Sequence, residues 1–230
     1  MPPGWFPPWD RWSRPRLRWL DMTDFERRLR AVLEPLEPTR YAIEGTRDAA
    51  VLIPIVSGPE PTLLFTVRTE LLPSHKGQIS FPGGAIDDED GSSIEAALRE
   101  AEEEIGLGRD EVRIIGELDS VPTFVTGYVV APVVGWLDHL PALVPNPREV
   151  AEILEVPIPH LVDANRVEPG YDHQGLELPT EAWLWEHHVI WGATARILRN
   201  FLNHLAEAGL TEPPGDTGSW TAWNLPAFDG

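Results

Sequence analysis

The segment "FPGGAIDDEDGSSIEAALREAEEEIGL", from Phe81 to Leu107, holds nine acidic residues in 27 positions. Ser92 followed three residues later by Glu95 is typical of a helix N-terminal capping box. Gly106 stands where a helix commonly ends in the left-handed conformation. The pattern therefore predicts a helix from about Ser93 to Ile105.

One face of this predicted helix is apolar. At about 100° per residue, a narrow stripe forms that can be buried against a sheet. The stripe consists of Ile94, Ala97, Leu98, Ala101 and Ile105. A helix packed on a sheet by this face indicates an α/β protein.

The neighbouring face carries Glu100, Glu103 and Glu104 at positions i, i+3 and i+4, so their carboxylates lie within reach of one another. Their repulsion is relieved if a cation lies between them, and hard divalent ions such as Mg²⁺ prefer oxygen ligands of this kind. The alternative is a solvated acidic face in which Arg99 pairs with Glu103.

The glycine pair upstream favours the metal hypothesis. Gly83 and Gly84 are expected at a strand end that leads to the helix, where missing side chains let backbone amides approach an anion. A phosphate and its metal ion would then find both halves of a site.

The composition excludes several function classes. With 18 Lys and Arg against 37 Asp and Glu in 230 residues, the formal charge of −19 disfavours nucleic acid and anionic membrane surfaces as partners. There are no cysteines, so disulfides and thiolate chemistry are excluded. No apolar run approaches the ~18 residues of a membrane span, and the N-terminus lacks a secretory signal. These properties predict a cytoplasmic enzyme with a small-molecule substrate.

The remaining pattern predicts a covering helix, a strand hairpin, further strands and a long final helix. Thr23 is expected to cap the first helix and Gly209 to end the last. The predicted helices are Thr23 to about Leu36 and Val189 to Gly209, and the predicted strands are Ala49–Val56, Thr62–Arg68, Glu111–Leu118, Tyr128–Leu137 and the segment around Val150–Pro157.

Three regions are expected along the chain. Residues 1–20 hold four tryptophans among five prolines, which predicts an irregular arm that lies on the domain or on a second subunit in a homodimer. Residues 21–209 form the enzyme domain, and residues 210–230 form a C-terminal tail.

The segment "REAEEEIGL", Arg99 to Leu107, resembles the second half of the signature box of the Nudix hydrolases at each fixed position. The resemblance implies the Nudix fold, an α/β/α sandwich with a mixed central β-sheet. It also implies that Glu100, Glu103 and Glu104 bind the Mg²⁺ or Mn²⁺ that activates water against a diphosphate.

The first half of the box departs from the family pattern. Asp90 follows Gly84 after five residues, where the family usually has Glu, and eight residues instead of seven separate it from Arg99. If Asp90 takes the role of the family's first acid, it does so with a shorter side chain and with one more residue before Arg99.

A longer segment, "LLFTVRTELLPSHKGQISFPGG" from Leu63 to Gly84, is similar to the extra signature of the coenzyme A diphosphatase subfamily. Further likeness downstream extends the resemblance over roughly residues 45 to 208. The residues implied as substrate contacts are Arg68, His75, Lys76, Gln78, Gly83 and Gly84.

One position in this segment differs from the subfamily. Pro73 stands where the subfamily usually carries a second Arg, and loss of a guanidinium removes a bidentate phosphate contact. Lys76 can substitute only as a point charge.

The resemblance implies hydrolysis of coenzyme A or its derivatives to 3′,5′-ADP and (acyl-)phosphopantetheine. Arg99, Glu100 and Glu103 are the catalytic candidates in the box, and Glu149 matches a further acid that serves as metal ligand or general base. The alternatives are another nucleoside diphosphate derivative such as ADP-ribose or NADH, and a nucleotide-sensing module without catalysis.

Several candidates also have a purely structural interpretation. Arg68 and His75 are alternatively surface residues, and Gln78 alternatively satisfies its strand. Tyr128 is interpreted as a core residue. His187 and His188 are interpreted as structural, because no partners at metal-binding spacing accompany them.

Overall fold

The computed structural model describes residues 22–69, 77–123, 127–162, 166–167, 172–173, 176–177 and 181–214. The predicted N-terminal arm and the tail beyond residue 214 lie outside the described residues. Pro73, His75 and Lys76 lie outside them as well.

Four helices and thirteen strands follow one another in the described residues. The helices are α1 Met22–Leu33, α2 Ser93–Ile105, α3 Ile158–Val162 and α4 Gly192–Glu207, with a 3₁₀ helix at Arg109–Glu111. The strands are β1 Arg47–Val56, β2 Thr62–Arg68, β3 Ile79–Ser80, β4 Gly83–Ala85, β5 Arg113–Glu117, β6 Val121–Pro122, β7 Tyr128–Leu137, β8 Val150–Pro157, β9 Arg166–Val167, β10 Asp172–His173, β11 Leu176–Glu177, β12 Ala182–Trp185 and β13 His188–Ile190.

The central sheet is mixed, as predicted. Its strand order is β3-β2-β1-β7-β5, with β4 paired to β1, β6 to β7 and β8 to β2. Strands β1 and β7 run parallel along their whole length, whereas β1 and β2 pair antiparallel as the predicted hairpin. Antiparallel β8 extends the sheet beyond β2.

Helices cover both faces of this sheet, which gives the expected three layers. On one face α2 buries Ala97, Ala101 and Ile105 against Leu52 and Val133. On the other face α1 and α4 form the larger core cluster with the sheet, and this cluster includes Leu29, Trp136, Phe201 and Leu205. The α/β/α sandwich is therefore confirmed.

Several predicted boundaries are wrong, and β1 begins at Arg47 instead of Ala49. Helix α1 begins at Met22, so Thr23 lies in its first turn instead of capping it. Glu111 belongs to the 3₁₀ helix, and β5 begins only at Arg113. The final helix begins at Gly192, because Val189 and Ile190 pair with β12 in a hairpin. β-branched residues favour this pairing over a first helical turn.

The expected end of the last helix is confirmed. Gly209 adopts the left-handed conformation just beyond α4, with a φ of 64°. Tyr128 is half-buried against the larger core cluster, and the guanidinium of Arg47 lies 5.3 Å from its ring centre. None of the helices in the described residues is long and apolar enough to span a membrane.

Candidate active site

Helix α2 carries most of the candidate site, and its ends are capped. The Ser92 hydroxyl accepts a hydrogen bond from the Glu95 amide at 3.2 Å. The Glu95 carboxylate accepts one from the Gly91 amide at 2.8 Å, one residue before the partner of a standard capping box. Gly106 ends the helix with a φ of 68°. These contacts confirm the predicted helix and its bounds.

The two glycines allow close contacts of β4, Gly84 with helix α2 and Gly83 with strand β1. A Cβ atom on Gly84 would lie 2.5 Å from Cδ of Glu100, and one on Gly83 would lie 2.3 Å from the Ala50 carbonyl oxygen. Neither distance is compatible with a side chain, so Gly84 is required for the Glu100 carboxylate to lie over β4, and Gly83 for β4 to lie against β1. The Gly83 amide, expected to face an anion, donates to the Glu104 carboxylate at 3.2 Å.

Glu104 is the buried acid of the site, with only 2% of the residue exposed. Burial raises the pKa of Glu104 to about 7, and the nearby charges of Glu100 and Glu149 raise it further, against the opposing effects of the Gly83 amide and Arg68. Arg68 Nη1 lies 3.7 Å from Glu104 Oε1. A cation placed beside the buried Glu104 would stabilise its charged carboxylate form.

Glu100 and Glu103 differ in exposure. The Glu100 carboxylate is largely buried and accepts a hydrogen bond from Arg99 Nη1 at 2.8 Å. Burial raises the pKa of Glu100, although Arg99 opposes this effect. The Glu103 side chain is 57% exposed and lies 3.5 Å from the same Arg99 nitrogen. The Arg99–Glu103 pair of the structural interpretation is thus present beside the buried acids.

Arg99 joins the loop after β4 to the helix. It donates to both carboxylate oxygens of Asp90, at 3.0 and 2.8 Å, and to the Ala85 carbonyl at 3.1 Å. The Asp90 side chain is only 6% exposed. Hydrogen bonding to Arg99 lowers the pKa of Asp90. Asp90 therefore anchors the loop, and the extra loop residue accompanies its shorter side chain.

The loop before β8 brings Glu149 to the site. The Asn146 amide donates to the Glu104 carbonyl at 2.8 Å, and the Thr69 amide donates to the Glu149 carbonyl at 2.9 Å. The Asn146 side-chain amide lies 3.4 Å from the Glu149 carboxylate. No local pattern in the sequence indicates Asn146, because its role depends on this long-range contact.

The candidate residues therefore fall into three groups. The structure brings Arg68, Arg99, Glu100, Glu104 and Glu149 together with the glycine pair. Glu103 lies on the solvent side of the same helix. Gln78 contributes its carbonyl to the Arg68 amide at 2.9 Å and so joins β2 to the segment before β3.

The acids are suitable oxygen donors for a divalent metal, although they are not arranged as a complete coordination site. Among the described residues, no group of three or more His, Asp or Glu side chains is arranged to hold a metal ion. The donors of α2 are all carboxylate oxygens, which suit Mg²⁺ or Mn²⁺. Burial raises the pKa values of Glu100 and Glu104, the neighbouring carboxylates add to this effect, and both conditions favour a cation here.

The histidine pair lies apart from α2. The rings of His187 and His188 are 4.0 Å apart at the tip of the β12–β13 hairpin. His188 Nε2 lies 3.5 Å from the Glu152 carboxylate. Burial lowers the pKa of His188, which favours its neutral form. These contacts agree with the structural interpretation of the pair.

A second concave region, which the sequence did not predict, lies at the N-terminal end of α2. This cavity of about 600 Å³ is lined by residues that include Arg40, Tyr41, Asp48, Ile86 and Ser93. Ser93 precedes Glu100 by seven residues, which is about 10 Å along a helix. The carboxylates of α2 are not among the described residues that line this cavity.

Comparison with known proteins gives a consistent result. The sequence model of the NUDIX domain matches residues 46–172, more than half of the chain. The protein described as Uncharacterized Nudix hydrolase NudL from Photorhabdus laumondii is 39% identical over 187 residues, which cover 78% of this chain and 95% of the relative. Its namesake from Escherichia fergusonii is 44% identical over 161 residues, or 66% of this chain and 80% of the relative.

Solved structures are more distant. The crystal structure of a MutT/nudix family protein from Enterococcus faecalis matches with a TM-score of 0.49 and 13% identity, and the match covers 83% of this chain and 71% of that one.

Proposed function

This chain belongs to the Nudix hydrolase family, whose members act on diphosphate bonds of nucleoside diphosphate derivatives, and we propose coenzyme A or its derivatives as the substrate. The products would be 3′,5′-ADP and (acyl-)phosphopantetheine. Nudix hydrolases generally use divalent metal ions, and we propose Mg²⁺ or Mn²⁺ here.

One observation supports the proposal most. Arg68 belongs to the segment that resembles the coenzyme A diphosphatases, whereas Glu104 belongs to the Nudix box. The two side chains approach within 3.7 Å although they are far apart in the sequence. The residues that suggest the substrate and the residues that suggest the chemistry therefore share one site.

In the proposed mechanism Glu100, Glu103 and Glu104 hold the metal. When bound, the metal lowers the pKa of a water ligand and offsets charge on the phosphates. Glu149 accepts the proton of the attacking water. Arg99 orients Glu100 through the hydrogen bond at 2.8 Å and fixes the loop through Asp90.

The proposed substrate contacts surround the glycine pair. Arg68 is a bidentate donor suited to a phosphate, and Lys76 adds a point charge. His75 and Gln78 supply further hydrogen bonds, and Gly83 and Gly84 place the Glu100 and Glu104 carboxylates beside the diphosphate.

A second candidate substrate class is favoured by Pro73, which replaces a guanidinium of the subfamily signature. Loss of that contact weakens recognition of the nucleotide half and favours ADP-ribose or NADH. Rates for the three compounds under the same metal concentrations separate the candidates. We expect the highest kcat/KM for coenzyme A, with 3′,5′-ADP as a product, whereas faster cleavage of ADP-ribose or NADH would refute the substrate proposal.

A cytoplasmic location and a homodimer built with the Trp-rich arm also remain proposals. The first is tested by fractionation of cells that express the protein. The second is tested by light scattering of the full chain beside a form that starts at Met22. If the truncated form has the same number of subunits as the full chain, the proposed role of the arm in a dimer is contradicted.

A further inference from the structure

Arg68 has an incomplete set of partners at the centre of the site. Its Nη1 lies 3.7 Å from Glu104 Oε1, which is a charge contact but too long for a hydrogen bond. In the described part of the chain its Nε is buried and has no hydrogen-bond partner. An unsatisfied buried donor is costly, so this position of the side chain leaves it ready for an additional acceptor.

The other nearby cation is already committed. Arg99 donates to Asp90, Glu100 and the Ala85 carbonyl, and it holds the loop in place through these bonds. Glu104 therefore depends on Arg68 for a compensating charge while Glu100 and Glu149 act against it. Arg68 is the cation that can be released without opening the loop.

We propose that Arg68 is an exchangeable counterion, which offsets Glu104 in the metal-free enzyme and transfers to a substrate phosphate when a divalent metal binds the carboxylates. A guanidinium and a divalent cation repel each other at one buried carboxylate. A phosphate offers Arg68 two acceptors in place of one distant contact, which also gives Nε a partner. Arg68 then couples metal binding to substrate binding.

This inference rests on the proposed function only in taking a divalent metal and a diphosphate as ligands. Because coupling is reciprocal, metal must tighten diphosphate binding by the factor with which diphosphate tightens metal binding. The coupling is a property of binding and can be measured without turnover.

The first experiment titrates the full chain with Mn²⁺ alone and follows free Mn²⁺ by electron paramagnetic resonance. We expect Arg68→Met to bind Mn²⁺ about five to ten times more tightly than the wild type, because the competing cation is gone. Arg68→Lys keeps the charge and should stay within about twofold of the wild type.

Arg148→Met is the matched control, since Arg148 is exposed and directly precedes Glu149. It removes the same charge near the site without touching Glu104. If Arg148→Met gains as much Mn²⁺ affinity as Arg68→Met, the gain is explained by net charge alone and the proposal is overturned. Unchanged affinity in Arg68→Met would also overturn it, provided that thermal unfolding shows the variant to be folded.

The second experiment repeats the titration with α,β-methylene-ADP, a diphosphate that is not hydrolysed, and corrects for Mn²⁺ bound by the analogue in solution. We expect the analogue to tighten Mn²⁺ binding at least fivefold more in the wild type than in Arg68→Met, where only the direct attraction between the ion and the phosphates remains. Equal coupling in both proteins contradicts the exchange.

The outcomes separate this inference from the proposed function. If the wild type binds no Mn²⁺, the exchange and the metal-dependent mechanism both fail. If the exchange is observed but coenzyme A is not cleaved, the exchange stands and only the substrate proposal fails.

Discussion

Asp90 is the residue whose role changes most between sequence and structure. The family comparison makes it a departure from the box, whereas its bidentate contact with Arg99, at 3.0 and 2.8 Å, makes it the anchor of the loop. The contact crosses nine residues through a turn, so helix periodicity could not predict it.

Replacement of Asp90 by Asn should lower the free energy of unfolding by about 1–3 kcal/mol, because a buried charge-assisted bond is lost. We also expect kcat to fall, since Arg99 orients Glu100. Urea unfolding and initial rates measure the two effects. Asp88→Asn is the control, because Asp88 is exposed in the same loop. Equal effects of the two changes would contradict the anchor role.

Substitution of Gly84 tests whether the position of the Glu100 carboxylate matters for activity. A Cβ atom at this position would meet Cδ of Glu100 at 2.5 Å, so Gly84→Ala must displace that carboxylate or β4. A displacement of about 1 Å can lower the rate on the order of 100-fold.

Gly58→Ala is the matched control for Gly84→Ala. The nearest atom to its added Cβ would be the Glu60 carbonyl oxygen at 3.6 Å, which is an ordinary contact. Steady-state rates and thermal unfolding should show lost activity only for Gly84→Ala. A fully active Gly84→Ala would show that the position of Glu100 is not critical.

Among the elements, α2 and the strands β2, β7 and β8 were predicted with their observed bounds, because apolar periodicity and caps define them locally. The β12–β13 hairpin was missed, and its residues Val189 and Ile190 were assigned to the final helix. Their apolar character fits either structure, and the choice is made by pairing with Leu184 and Trp183 across the turn.

Arg113 links α1 to the sheet through ion pairs, and these ion pairs make the stability of the protein depend on pH. Its Nη2 donates to Glu26 at 2.8 Å and to Asp138 at 2.9 Å. Burial raises the pKa of Glu26, but hydrogen bonds from Arg113 and Arg30 outweigh it, and Arg113 lowers the pKa of Asp138.

Both carboxyl groups are thus more acidic in the folded state. Their contribution is complete above the unfolded pKa values of 4.5 for Glu26 and 3.8 for Asp138, and it is lost as the pH falls through the lower folded values. We expect Arg113→Met to lose about 1 kcal/mol at pH 7, since the contacts are partly exposed, and less at pH 3. Urea unfolding at both pH values measures this difference. A constant difference would contradict the linkage.

In the whole molecule, the fold was predictable because the box and the segment upstream resemble a known family. The site was predictable in its residue types but not in its contacts. Arg68 at the end of β2, Glu104 on α2 and Glu149 before β8 meet only after the sheet has formed. The positions of His75 and Lys76 relative to them stay predictions.

The net charge of −19 favours the binding of cations, and this leads to a prediction for the stability of the whole protein. If α2 binds Mn²⁺, binding to the native state alone must raise the melting temperature, by about 5–10 °C at 100 times the Kd. Glu104→Gln should remove most of this shift. Differential scanning fluorimetry, with Na⁺ at matched ionic strength as control, measures it. An equal shift in the variant would place the ion elsewhere.

The most direct test of the account is metal-dependent cleavage of coenzyme A by wild type, Glu103→Gln and Glu102→Gln, with products separated by chromatography. Glu102 and Glu103 are adjacent and both exposed, and Glu102 pairs with Arg109. We predict that the wild type and Glu102→Gln form 3′,5′-ADP only with Mg²⁺ or Mn²⁺ and that Glu103→Gln loses at least ~100-fold in rate. Equal activity of the two variants, or cleavage without metal, would contradict the assignment of catalysis to the acidic face of α2.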